Sequence, residues 1–172
     1  MSIEDEILDR VGRKMLFPLL PKAAGAPVRR AMFVAEDLWR VLNSPEGDAE
    51  WEERVGRLRA DLEVFVTEQW ITPKYLFLLY PMAEAVWEIR SVRDAPSIRV
   101  LGRFPLKDTF VSTNYARRED LKGWQDRTWR DVKNIAKSTW KTLFFSYAPI
   151  ITANVNEVCS GAANEIFYKI PD

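Results

Sequence analysis

Read for its apolar positions, the chain changes character near its middle. Ile3, Ile7, Leu8, Val11 and Met15 recur at helical spacing, which predicts an amphipathic helix over 3–16. The run Phe17-Pro18-Leu19-Leu20-Pro21 breaks it, and a loop with Gly25 follows. Pro27 suits the first turn of a second helix, expected over 27–42 with Met32, Ala35, Leu38, Trp39 and Leu42 on one side. Asp48 is a plausible N-cap for a third helix over 49–68, whose apolar side carries Trp51, Val55, Leu58, Leu62, Phe65 and Val66.

Beyond Trp70 the period shortens. After a break at Ile71-Thr72-Pro73 and a short apolar run over 75–80, strands are expected at 86–92, 98–104 and 109–114. Arg93-Asp94-Ala95-Pro96-Ser97 and Pro105-Leu106-Lys107-Asp108 supply the turns, so the three strands form an antiparallel meander. A last helix is expected over 125–145, with Trp129, Val132, Ala136, Trp140 and Leu143 as its buried stripe. Extended segments are expected at 149–156 and 165–170. The fold class is therefore α+β: N-terminal helices, an antiparallel β-meander and a long C-terminal helix. Residues 1–70 form a helical extension in this scheme, and 71–172 an α+β domain with a C-terminal helix and tail. Trp87, Ile89, Ile98, Val100 and Phe110 are expected to share one core with Trp129 and Trp140.

Composition narrows the chemistry more than the fold. The chain has no histidine and one cysteine, Cys159, so a Ser-His-Asp or Cys-His system is excluded and a zinc site disfavoured. Acid–base work falls to Asp, Glu, Lys, Tyr or water. No cofactor is implied. The acidic start Met1-Ser2-Ile3-Glu4-Asp5-Glu6 lacks the build of a signal peptide, and no apolar run reaches the length of a membrane span. A cytoplasmic protein with no membrane partner is expected.

The net charge of zero hides a sorted distribution. Residues 1–70 carry 10 basic and 14 acidic side chains, residues 71–147 carry 14 and 8, and residues 148–172 carry 1 and 3. A basic middle suits an anionic partner, or else attraction between the parts of the chain itself.

The basic middle also holds short motifs. Val86-Trp87-Glu88-Ile89-Arg90 is followed by Ser97-Ile98-Arg99-Val100-Leu101, and an apolar third strand runs into Tyr115-Ala116-Arg117-Arg118. Over about residues 62–122 this resembles the RelE/HigB-like toxin superfamily, in which a W-E-[IL]-R strand precedes a strand with an apolar–Arg–apolar step. The resemblance implies a metal-independent mRNA interferase, acting at the ribosome and neutralised by a cognate antitoxin. On that basis Arg99 is the transition-state clamp, Arg117 or Arg118 holds phosphate, and Tyr115 stacks on a base or relays a proton. Arg90 serves either the sheet or RNA, and Arg103 shares the strand face of Arg99. This chain is longer and less basic than is usual in the family. Tyr115-Ala116-Arg117-Arg118 also stands where a Lys-Lys pair is common.

Arg127, Arg130, Lys133, Lys137 and Lys141 recur at spacings of three and four, and are expected on one helix face opposite the tryptophans. Such a face binds a phosphate backbone or is simply solvated. Arg90, Arg103, Arg130, Lys133, Lys137 and Lys141 are thus the candidate RNA-binding set. The competing function is a non-catalytic protein-interaction module of a mobile element or toxin–antitoxin-like system, its basic sheet binding an acidic protein.

Overall fold

The computed structural model describes residues 1–171. Helix α1 (Ile3–Gly12) is closed at its start by a capping box between Ser2 and Asp5. Strands β1 (Leu16–Pro18) and β2 (Ala31–Ala35) follow, then α2 (Glu36–Asn43) and α3 (Ala49–Thr67). Asp48 caps α3 by accepting from the Trp51 N–H. Strands β3 (Leu76–Leu78), β4 (Trp87–Ser91), β5 (Ile98–Leu106) and β6 (Thr109–Arg117) precede helix α4 (Arg127–Leu143). The fold class is α+β, and no described helix is long and apolar enough to cross a membrane.

The meander β4–β5–β6 forms where the alternation places it, as the centre of a six-stranded sheet in the order β1-β2-β6-β5-β4-β3. All neighbours are antiparallel except β2 and β6. The expected helix over 27–42 is corrected here, because Ala31–Ala35 is a strand and only residues from Glu36 onward are helical. Met32 and Val34 are buried alternately between β1 and β6, a burial that only a period of two provides. The first helix likewise ends at Gly12, four residues short of the expected 16. The span 1–70 therefore contributes two strands to the shared sheet, and residue 70 divides no layer from another.

Two layers of helix cover the sheet. On one face α2, α3 and the tail bury Trp87, Ile89, Ile98, Val100, Phe104 and Phe110. Trp87 meets Phe104 edge to face, with centroids 5.6 Å apart. On the other face α1 and α4 bury Leu16, Val111, Trp140, Leu143 and Phe144. The expected single core is thus two cores, because alternation along each strand sends neighbouring residues to opposite sides. The described tail holds a 3₁₀ turn at Val155–Glu157 and no strand. It meets β3 through an isolated bridge of Tyr168 to Leu78, and the segment before β3 through a bridge of Ala162 to Ile71. Cys159 is buried, and burial pushes its thiol up to about 11, in keeping with a structural role.

The pairing of β5 with β6 slips by one residue: Leu101 faces Asn114, whereas Gly102 faces Ser112. Thr113 is the extra residue of a β-bulge, and its hydroxyl donates to the Leu101 carbonyl. A Cβ at Gly102 would lie 2.2 Å from the Val111 oxygen and 2.5 Å from the Phe110 ring. Gly102→Ala should therefore cost about 1–3 kcal/mol. Trp87→Ala, which empties the larger core, should cost about 3–5 kcal/mol. Urea denaturation checks both, and a wild-type midpoint for either variant would contradict this packing.

Candidate functional site

The alternation of β4 and β5 that buries Trp87, Ile89, Ile98 and Val100 sends Glu88, Arg90 and Arg99 to the α4 side. Arg90 and Arg99 are direct cross-strand partners, an arrangement that repels unless something neutral or anionic intervenes. Glu88 intervenes. Its carboxylate accepts from Arg90 Nε at 2.7 Å and lies 3.5 Å from Arg99 Nε, while only 2% of the residue is exposed. Beyond the end of β6, Arg118 reaches the same side with its guanidinium 5.8 Å from the Trp129 centroid. One carboxylate thus serves two guanidinium groups, while Arg118 donates instead to the Leu121 carbonyl.

These residues line a cavity of about 320 Å³. Lys133 and Lys169 add two ammonium groups, and Phe77, Tyr80, Trp124 and Trp129 add aromatic wall. The Arg90 guanidinium lies 4.1 Å from the Phe77 centroid, and Arg99 Nη1 donates to Ser97 Oγ at 3.2 Å. Burial, followed by the charges of Arg90 and Arg118, lowers the Arg99 pKa, and Glu88 opposes that shift. Burial likewise lowers the Lys133 pKa. Its ammonium donates to the Tyr80 carbonyl at 2.6 Å and lies 3.7 Å from Glu84.

The sequence-predicted residues divide between the faces. Arg90, Arg99, Arg118 and Lys133 meet at the cavity. Tyr115 and Arg117 lie on the α3 side, where the Arg117 guanidinium is 4.2 Å from the Trp51 centroid and Tyr115 packs 6.4 Å from the same side chain. Arg103 is buried under α4 with its guanidinium 5.8 Å from the Trp140 ring, and burial lowers its pKa. Lys137 pairs with Glu84 at 3.4 Å, and Arg130 and Lys141 are exposed. The expected five-cation face opposite the tryptophans needs correction. Lys133 lies one helical turn from Trp129, on the same side, and is buried with it.

Glu88, Phe77, Tyr80, Trp124, Trp129 and Lys169 are site residues that the motifs did not assign. The pairing of Arg90 with Arg99 was open to the eye once the two strands had a register. No signal in the tail pointed to Lys169, which reaches the cavity only because Tyr168 bridges to β3. No family model matches the chain, and no curated protein or solved structure matches it either.

An anion would relieve the surplus of positive charge, and the carboxylate limits that surplus. Glu88→Gln should therefore destabilise the protein by about 1–3 kcal/mol, since it leaves part-buried guanidinium groups less well compensated. Added sulfate should recover more stability in this variant than in the wild type. Thermal unfolding with and without sulfate checks both points, and an equal sulfate response in the two proteins would contradict the charge balance described.

Proposed function

We propose that this chain is a RelE/HigB-like RNA-binding protein whose cationic cavity holds a phosphate of single-stranded RNA and promotes cleavage beside it. The observation that carries this reading is that Arg90, Arg99 and Arg118 line one cavity walled by aromatic rings, with a single buried carboxylate shared by the first two. Guanidinium groups match phosphate geometry, and fixed donors in a partly dry site stabilise developing charge better than water does. Helices before a meander and a helix after it also accord with the family that the Trp87-Glu88-Ile89-Arg90 strand resembles.

In the proposed reaction the RNA 2′-oxygen bonds to phosphorus as the P–O5′ bond breaks, leaving a 2′,3′-cyclic phosphate and a 5′-hydroxyl. Arg99 and Arg118 stabilise the charge that gathers on the non-bridging oxygens. The 2′-hydroxyl proton passes to water. Lys133, protonated and poised by burial toward release, gives the 5′-oxygen its proton. Glu88 acts by orienting Arg90 and Arg99, since its Oε2 is enclosed and accepts no hydrogen bond. In the proposed chemistry guanidinium and ammonium groups meet the developing charge, and no metal takes part.

Incubation of the purified protein with single-stranded RNA tests the proposal. Arg99→Ala and Arg118→Ala should each lower the cleavage rate by about 10²–10³. Tyr115→Phe and Arg117→Ala should leave it near wild type, because those residues face α3. A 2′-deoxy linkage should resist cleavage, and a chelator should change nothing. Undiminished cleavage by folded Arg99→Ala protein would overturn the assigned site. RNA that is bound with steep salt dependence yet left intact would reduce the function to binding.

A further inference from the structure

The cavity is lined by more than cations. Tyr80, from the segment after β3, is 41% exposed, and Trp124, from the loop before α4, is 36% exposed. Their rings meet edge to face, with centroids 5.9 Å apart and planes at 80°. Both ends of this pair are held: Lys133 donates to the Tyr80 carbonyl at 2.6 Å, and the Lys169 ammonium lies 5.6 Å from the Trp124 centroid. An inorganic phosphate would satisfy Arg99 and Arg118 and leave these rings bare. The volume of about 320 Å³ is also generous for a phosphate alone. It stands at the lower end of the range for small-molecule sites, about 300–1,000 Å³. A duplex or a folded RNA has no room to enter.

Resting on the RNA-binding reading above, we propose that Tyr80 and Trp124 form a stacking platform for one nucleobase, so that the cavity takes a single unstacked nucleoside phosphate. The phosphate meets Arg99 and Arg118, and the base lies on the exposed rings. Every nucleobase has a π-face, so the platform tolerates different bases and favours a single strand over a duplex. Lys169 makes the tail part of the site, since its ammonium steadies Trp124. The same chemistry suits a nucleotide within an RNA strand and a free mononucleotide.

The test is calorimetric titration of the full chain with adenosine 3′-monophosphate and with ribose 5-phosphate, followed by competition from a short single-stranded RNA. The nucleotide should bind about tenfold or more tightly than the sugar phosphate. Trp124→Ala, a change at a partly exposed loop position, should abolish that preference and leave ribose 5-phosphate affinity unchanged. Lys169→Ala should weaken the preference several-fold. Equal affinities in the wild type, or a preference untouched by Trp124→Ala, would overturn the platform. If the platform fails while RNA binding still depends on Arg99, the RNA-binding reading survives alone. If the nucleotide shows the predicted preference but RNA does not displace it, the platform stands for free nucleotides and the RNA-binding reading falls.

Discussion

The extra residue in β6 decides where the charges go. Along β5 the alternation is unbroken from Ile98 to Phe104 and shifts only beyond, before Leu106. Arg99 and Arg103 therefore face α4, while Ile98, Val100 and Phe104 face α3. Along β6 it is broken at Thr113. Without the bulge, every second residue from Phe110 would keep the α3 side, and Arg118 would fall with them. With it, Tyr115 and Arg117 take the α3 side and Arg118 arrives beside Arg99. Gly102 makes this possible, because no side chain fits between its backbone and the Val111 carbonyl. One glycine and one inserted threonine thus decide that Arg118, and not Arg117, lies on the face of Arg99.

The site that results is held by few counter-charges. Glu88 is nearly enclosed and is shared by Arg90 and Arg99, and Arg118 finds its hydrogen bond at the Leu121 carbonyl. Lys133 leans on a backbone carbonyl and on Glu84, which also serves Lys137. Partly buried cations with so few acids carry a desolvation cost that a hydrophobic lining would avoid. The sheet behind them supplies the compensation. Trp87, Phe104, Phe110 and Phe65 pack in contact on the α3 face, and the rigidity of that core fixes the strands that carry the cations.

The fold was legible in outline, but its first two strands were not: Leu16–Pro18 reads as a helix end and a break, and Ala31–Ala35 as helix. Period-two alternation marked β4, β5 and β6, and Asp48 and the apolar stripe marked α3, because each signal is local. Ala31–Ala35 was hidden, since Met32, Ala35, Leu38 and Leu42 also satisfy a helical spacing and the pairing that makes β2 a strand is with β6, far along the chain. Half of the site was likewise legible. Arg90, Arg99 and Arg118 stand in motifs, whereas Trp124 and Lys169 come from a loop and a tail that reach the cavity through tertiary contacts. The bulge has no strong mark of its own: Ser112, Thr113 and Asn114 read as ordinary strand, so the parity of Tyr115 and Arg117 could not be assigned. For the last helix, spacing alone placed Lys133 among the solvated cations. It is the turn that Lys133 shares with Trp129 that takes it inward.

The central claim is that Arg99 and Arg118 act on one and the same phosphate, and a double-mutant cycle on RNA binding addresses it directly. Affinities for a short single-stranded RNA are measured for the wild type, Arg99→Ala, Arg118→Ala and the double variant, with Arg99→Ala/Arg117→Ala as the control pair. Groups that share a ligand atom are coupled, whereas groups on opposite faces of a sheet are additive to within about 0.5 kcal/mol. The structure predicts a coupling of about 1 kcal/mol or more between Arg99 and Arg118, and none between Arg99 and Arg117. Additive losses for Arg99 and Arg118 would contradict a shared phosphate site.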